Sequence, residues 1–310
     1  MKKLILSLSI VMAFSSYCRA AAPEDKASVA LTVGSRKDNL DWNIAGNSAG
    51  TNPNVLSELQ WNDLGIYQVK VAGKVVFEAD GGKGEGYYLR GFMDYGWVHS
   101  GTNQDSDYAG DNRTGEFSRS NNNADSGSVS DFSIGLGYRA RYIFKESVLD
   151  FAPLGGYSRH RQNLKITDGY QTIPATGAFA GLDSSYNARW QGPWFGIDID
   201  WLTEKVGLHG GAEYHIARYT AEADWNLRSD FNHPKSFEHK ANGTGYVLFL
   251  GGDYTVWRKW ALTADVNYQK WNTTGGTDRT YFSDGTTATT RLNEVNWTSS
   301  AYMLGIMRRF

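Results

Sequence analysis

The 310-residue sequence contains one cysteine and 6 prolines, and neither sign of charge predominates, with 31 Lys and Arg against 33 Asp and Glu. A lone Cys18 can build neither a disulfide framework nor a cysteine-based zinc site. The charge balance leaves no basic block of the kind that displaces counterions from a polyanion, which excludes a nucleic-acid binder. At 41% hydrophobic residues and a mean hydropathy of −0.48, the chain is too polar for a helical membrane bundle. Aromatic residues are abundant: 14% of the chain, including 18 Tyr and 11 Trp, together with 35 Gly in an otherwise hydrophilic sequence. A transmembrane β-barrel has such a composition, with an apolar wall, a polar lumen and aromatic girdles at both interfaces.

The amino terminus has the three regions of a secretory signal: Lys2-Lys3, the apolar stretch Leu4 to Phe14, and small residues up to Ala22. Cleavage after Ala20 or Ala22 would remove three positive charges and the cysteine, leaving a single domain over 23–310. The apolar stretch is too short to span a membrane as a helix, and the bulky Tyr17 before Cys18 disfavours lipidation of that cysteine. At the other end Tyr302, Leu304, Ile306 and Phe310 share one face of an extended segment, as in a closing barrel strand.

Period-two alternation recurs along the chain and predicts half-buried strands. Leu262, Ala264, Val266 and Tyr268 alternate with Thr263, Asp265, Asn267 and Gln269; Phe132, Ile134, Leu136 and Tyr138 alternate with Asp131, Ser133, Gly135 and Gly137. Ten strands are expected, near 28–38, 56–78, 86–98, 129–144, 147–162, 186–202, 206–223, 242–255, 260–272 and 294–310. Their connections alternate between short turns and long polar loops over 39–55, 99–128, 163–185, 224–241 and 273–293. That alternation predicts an all-β, ten-stranded antiparallel transmembrane barrel in the bacterial outer membrane, with both termini periplasmic and the loops extracellular. The same parity turns Lys70, Lys74, Arg90, Asp94, His209, Glu213 and His215 into a narrow lumen. An ion-pair network that fills the interior is favoured there over a zinc site at His209, Glu213 and His215, so no metal or other cofactor is expected.

Above the third strand, Asp105 and Asp107 stand at i and i+2 on an extended backbone and point the same way, a suitable pair for holding and deprotonating a water. A solvated loop or a divalent-cation loop would look the same.

Several segments together resemble the omptins, outer-membrane endoproteases with a ten-stranded barrel and a groove at the extracellular rim. They are Ser57-Glu58-Leu59-Gln60-Trp61, the Asp105 and Asp107 pair, Gly156-Tyr157-Ser158-Arg159-His160-Arg161, and Tyr186 through Gly196 with its Gly192-Pro193-Trp194 core. The resemblance implies that Asp105 and Asp107 face an Asp-x-His dyad, which would fall on Asp224 and Asn226. An amide cannot accept a proton at neutral pH, so the general base is missing unless His233 folds back to replace it. The resemblance also implies a lipopolysaccharide site on the outer wall at Tyr157, Arg159, Arg161 and Arg189, the lipid serving as a structural or activating partner. Three functions remain open: a noncatalytic surface barrel acting as an adhesin or envelope structural protein, an omptin-type endoprotease, and a narrow channel. Expected partners are outer-membrane lipid, lipopolysaccharide, and host or surface proteins or peptides at the loops; the barrel is expected to be a monomer, and no nucleic acid partner is expected.

Overall fold

The computed structural model describes residues 26–79 and 84–310; the expected signal peptide and Cys18 lie outside them. Ten long antiparallel strands form a closed ring: β1 (Ala27–Ile44), β2 (Ser57–Glu78), β3 (Gly86–Gly110), β5 (Gly127–Ile143), β6 (Val148–Ile173), β8 (Asp183–Leu202), β9 (Val206–Asp224), β10 (Phe237–Trp257), β11 (Trp260–Thr273) and β13 (Thr287–Arg309). The ring closes where β1 pairs with β13, from Ser28 opposite Arg309 to Ile44 opposite Leu292. Three short strands, β4 (Thr114–Asn123), β7 (Gly177–Ala178) and β12 (Gly276–Tyr281), extend the sheet at one end. No helix among the described residues is long and apolar enough to cross a membrane.

The alternation read from sequence places the apolar face outward. On β3 the residues Tyr87, Met93, Tyr95 and Trp97 are exposed, while Tyr88, Gly96 and Val98 are buried. The outward apolar stretch runs from Tyr67 to Phe77 on β2 and from Tyr87 to Trp97 on β3, close to the 9–11 residues or so that a tilted strand needs to cross the hydrocarbon. Strands continue well past this band. β3 has 25 residues and β6 has 26, roughly 80 Å of chain at about 3.3 Å per residue, against an apolar band about 25 Å tall. Segments expected as long loops are therefore largely paired strand. Beyond the lipid the outward face turns polar while inward residues such as Leu59, Trp61, Leu164 and Ile166 stay buried, so the outward half of the hydrophobic period disappears although the ladder continues. Cross-strand amides take over, as in Asn272 Nδ2 to Asn296 Oδ1 at 2.6 Å, Asn296 Nδ2 to Asp41 Oδ2 at 2.8 Å and Gln104 Nε2 to Asn121 Oδ1 at 2.9 Å.

Much of the lumen is filled, and of the inward residues expected from parity Lys74, Arg90, His209, Glu213 and His215 form ion pairs. Arg36 forks onto Asp38 with two bonds of 2.7 Å and reaches Asp131 at 2.6 Å. Arg90 bridges Asp198 and Glu213, each at 2.7 Å. Directly against this charged layer lies an indole layer: Trp61, Trp190, Trp271 and Trp297 are at most 1% exposed, and Trp271 stacks on Trp297 at 5.5 Å. Glycine makes room for large rings where they press on a neighbouring strand. A Cβ at Gly135 would come within 2.4 Å of the Trp194 ring, and one at Gly156 within 2.6 Å.

Substituting Arg36 by Met should destabilise the barrel by about 3–5 kcal/mol, because it leaves the carboxylates of Asp38 and Asp131 buried without their cation. Urea unfolding in lipid vesicles measures this, and adding Asp131→Asn to the Met variant should recover part of the loss.

Candidate functional site

The Asp pair reaches the interior through a break in alternation. Trp97 points outward, so strict parity would also turn residue 105 outward. The β2–β3 register shifts between Asn62 and Ile66, opposite His99 to Gly101, and a β-bulge of this kind reverses the faces beyond it. Gly101 has φ +151 and a Cβ there would meet Leu64 at 2.5 Å, so this position requires glycine. Above the bulge Asn103 is buried, and Asp105 and Asp107 lie opposite Leu59 and Ser57 at the inner rim.

The two carboxyls share a confined space. Burial and the charge of Asp107 push the Asp105 carboxyl up to about 8, opposed by a hydrogen bond from the Trp225 side chain and by the Arg228 cation. Burial also raises Asp107, against hydrogen bonds from the Ser57 and Ser118 hydroxyls and the attraction of Arg228. Such a pair holds a proton between its members and can hold a water.

The opposite wall is the end of β9 and the segment leading to β10. Tyr219, Ala221 and Ala223 are buried on the inward face, and the next inward position is Trp225. Its backbone N–H donates to Ser236 Oγ at 2.9 Å, and its ring meets Phe237 edge-on at 4.8 Å, which fixes the indole toward the groove. Arg228 is held by Asp230 through bonds of 2.9 and 2.8 Å and lies 4.0 Å from the Phe231 ring centroid. Trp225 and Arg228 are thus the groups from this wall that act on the Asp pair.

Asp224 and His233 do come together. His233 Nδ1 lies 2.6 Å from Asp224 Oδ1, and its Nε2 is 3.2 Å from the Arg228 carbonyl. The hydrogen bond to Asp224 raises the His233 imidazole above its ordinary range. Asp224, however, pairs with Ser185 between the inward-facing Ser184 and Tyr186, so strand alternation directs it to the outward face of β9. Asn226 has a scaffolding role: its Oδ1 accepts from the Asp183 N–H at 3.0 Å and the Ser184 hydroxyl at 3.1 Å, and its Nδ2 donates to Gly181 O at 2.7 Å.

The other expected residues lie on the outer wall. Tyr157 is 46% exposed on β6, opposite Ile134 and Pro193; Arg159 stands opposite Gln191, and Arg161 opposite Arg189. Arg218, two positions after the outward Ile216, joins them on β9 opposite Gln191 and was missed, although its parity was readable. Among the described residues these four arginines make no ion pair with a carboxylate.

Glu213 and His215, expected inward in an ion-pair network, do pair, and Ser158, which sequence reading missed, joins them in a buried relay, with Ser158 Oγ 3.0 Å from Nδ1 and Glu213 Oε2 2.7 Å from Nε2. Ser158 is 1% exposed and lines no described cavity, so the relay braces the lumen. No group of three metal-ligating side chains occurs among the described residues.

Comparison with known proteins places this geometry among outer-membrane proteins. The family model for Pom, the Protochlamydia outer membrane protein, matches residues 30–310. The outer membrane protease OmpT from Escherichia coli superposes with a TM-score of 0.71 at 13% identity, covering 94% of this chain and 99% of that one. The translocator domain of autotransporter NalP from Neisseria meningitidis reaches a TM-score of 0.37 at 13% identity, over 92% of this chain and 88% of that one. No curated protein matches. The likeness to the protease is one of fold, and the ten-stranded omptin-like ring expected from sequence is the ring observed.

The raised Asp105 carboxyl has a consequence for stability. A carboxyl that holds its proton longer in the folded than in the unfolded state makes the fold lose stability as pH rises from its unfolded value near 4 to about 8. Urea midpoints measured from pH 5 to 8 should fall in the wild type and fall less in Asp105→Asn.

Proposed function

Because the chain belongs to the Protochlamydia outer membrane protein family, we propose that it is a noncatalytic surface barrel, an adhesin or envelope structural protein of omptin-like fold, anchored by lipopolysaccharide on its outer wall. The observation that carries this reading is the identity of the groups opposite Asp105 and Asp107. An indole N–H donor and a guanidinium stand there, and neither can take a proton from a water. The opposite wall therefore supplies no second base to share the deprotonation of a water held by the Asp pair. Of the imidazoles nearest this wall among the described residues, His233 is engaged by Asp224 and by the Arg228 carbonyl, and the fully buried His239 is held by the Tyr186 hydroxyl and Asp278.

An endoprotease reading would need His233 or the acid pair alone to act. A general base contributes about 10²–10⁴-fold to such a reaction, so its participation is easy to detect. Basic peptides incubated with the barrel and lipopolysaccharide from pH 5 to 8 should remain intact with the wild type, Asp105→Ala and His233→Ala. Cleavage by the wild type that either substitution abolishes would establish the protease instead. A channel finds less support, since the four buried indoles fill the lumen cross-section above the charged layer.

The lipid part of the reading rests on Arg159, Arg161, Arg189 and Arg218, which gather on the outer face of β6, β8 and β9 above the apolar band. Cations at that level suit anionic head groups, at about 1 kcal/mol each. Replacing Arg159 and Arg189 together by Gln should weaken lipopolysaccharide binding roughly 10- to 30-fold, increasingly so at low salt. Co-purified lipid phosphate per barrel reads this directly, and an unchanged ratio in the double variant would contradict the site.

A further inference from the structure

The half of the lumen nearest the short turns and the termini holds a cavity of about 180 Å³ that the surface reading does not use. Its apolar lining includes Phe92, Val247, Phe249, Met303 and Met307. Its lining is also charged, and the carboxylates there are already engaged. Asp198 accepts from the Tyr88 hydroxyl at 2.9 Å and pairs with Arg90 at 2.7 Å; Glu213 holds Arg90 and His215, each at 2.7 Å. Asp200 binds Lys74 at 2.7 Å, Asp265 binds His209 at 2.6 Å, and Asp253 is taken by Arg309.

Lys70 is different. It lines the same cavity, and among the described residues no carboxylate lies within ion-pair distance of its ammonium, which sits 4.1 Å from the centroid of the Phe92 ring. Asp94, directly across the ladder on β3, is beyond ion-pair distance and does not line the cavity; its carboxyl feels the charges of Arg36 and Lys70 and takes a hydrogen bond from Gln68. An ammonium in a half-apolar cavity, with the surrounding carboxylates already bound to other cations, is a receptor for an anion carrying an apolar body. The volume sets the size of that body: an engineered apolar cavity of about 150 Å³ takes a benzene ring. The cavity also has a way down. Ser28, Lys74, Asp200, Asp253 and Met307 line both it and a smaller cavity of about 40 Å³ that reaches Lys26 and Arg309 at the barrel end. In the other direction the buried Arg36 cluster and indole layer pack the lumen, so the route toward the short-turn end is the one the lining supports.

We infer that this cavity binds a small amphiphilic carboxylate, its anionic end on Lys70 and its ring- or short-chain-sized apolar end between Phe249 and the two methionines. Benzoate, benzamide and benzylamine are probes of one shape and three charges. Equilibrium dialysis against the full barrel in phosphatidylcholine nanodiscs, with empty discs subtracted, should find one benzoate per barrel. Benzamide should bind at least about tenfold more weakly, since it lacks the charge-assisted bond, and benzylamine should not bind. Lys70→Met should lose benzoate to the level of benzamide, and Met303→Trp, which fills the cavity without touching the cation, should lose both. Failure of the wild type to bind benzoate overturns the inference, as does equal binding of benzoate and benzamide, or full benzoate binding by a folded Lys70→Met. The three-probe comparison on the wild type decides the matter even where a variant does not fold.

Discussion

No backbone polar group can be left unpaired within hydrocarbon, and this constraint governs the architecture. It makes the sheet close on itself, from Ser28 opposite Arg309 to Ile44 opposite Leu292, and closure forces each strand to divide its residues between lipid and lumen. With ten strands the lumen is narrow enough to be filled by side chains. The inward positions must then be large and mutually satisfied, which is why Arg36, Arg90, Asp131 and Glu213 pair with one another and four tryptophans occupy the layer beside them.

The same constraint made the fold readable from sequence. Alternation in segments such as Leu262 to Gln269 reports burial on one face directly, and the outward aromatics Tyr67, Trp97, Tyr138 and Tyr302 are all exposed. Where lipid ends, the signal weakens. Residues 99–128 carry polar side chains on nearly every position, so little in their pattern marks them as strand although the ladder of β3 runs to Gly110; over 163–167 the buried Leu164 and Ile166 still alternate with Asn163, Lys165 and Thr167, and only beyond them does the pattern fade before the strand ends at Ile173.

The rim was legible only in part, for a related reason. Asp105 and Asp107 face inward because a bulge at Gly101 reverses the alternation set by Trp97, and a single glycine is a weak sign of a bulge. Across the groove, the parity of Tyr219, Ala221 and Ala223 already pointed to Trp225 rather than Asp224 as the next inward residue. The motif Asp224-Trp225-Asn226 drew attention to its acid, whereas the register selects its indole. His233 meets Asp224 through a loop return of nine residues, a contact that alternation cannot foresee. The lumen cavity arises from residues on β1, β2, β3, β8, β9, β10, β11 and β13, whose convergence depends on closure of the whole ring. The rim groove and the lumen cavity therefore occupy opposite ends of one barrel, separated by its charged and aromatic filling.

The central claim is that Trp225, rather than an imidazole, faces the Asp105 carboxyl. Labelling the indole nitrogens and following the Trp225 N–H resonance with pH tests it most directly. The account predicts a shift with a midpoint near 8, abolished by Asp105→Asn and unaffected by Asp224→Asn. A resonance indifferent to Asp105→Asn, together with a His233 imidazole whose titration moves in that variant, would contradict it.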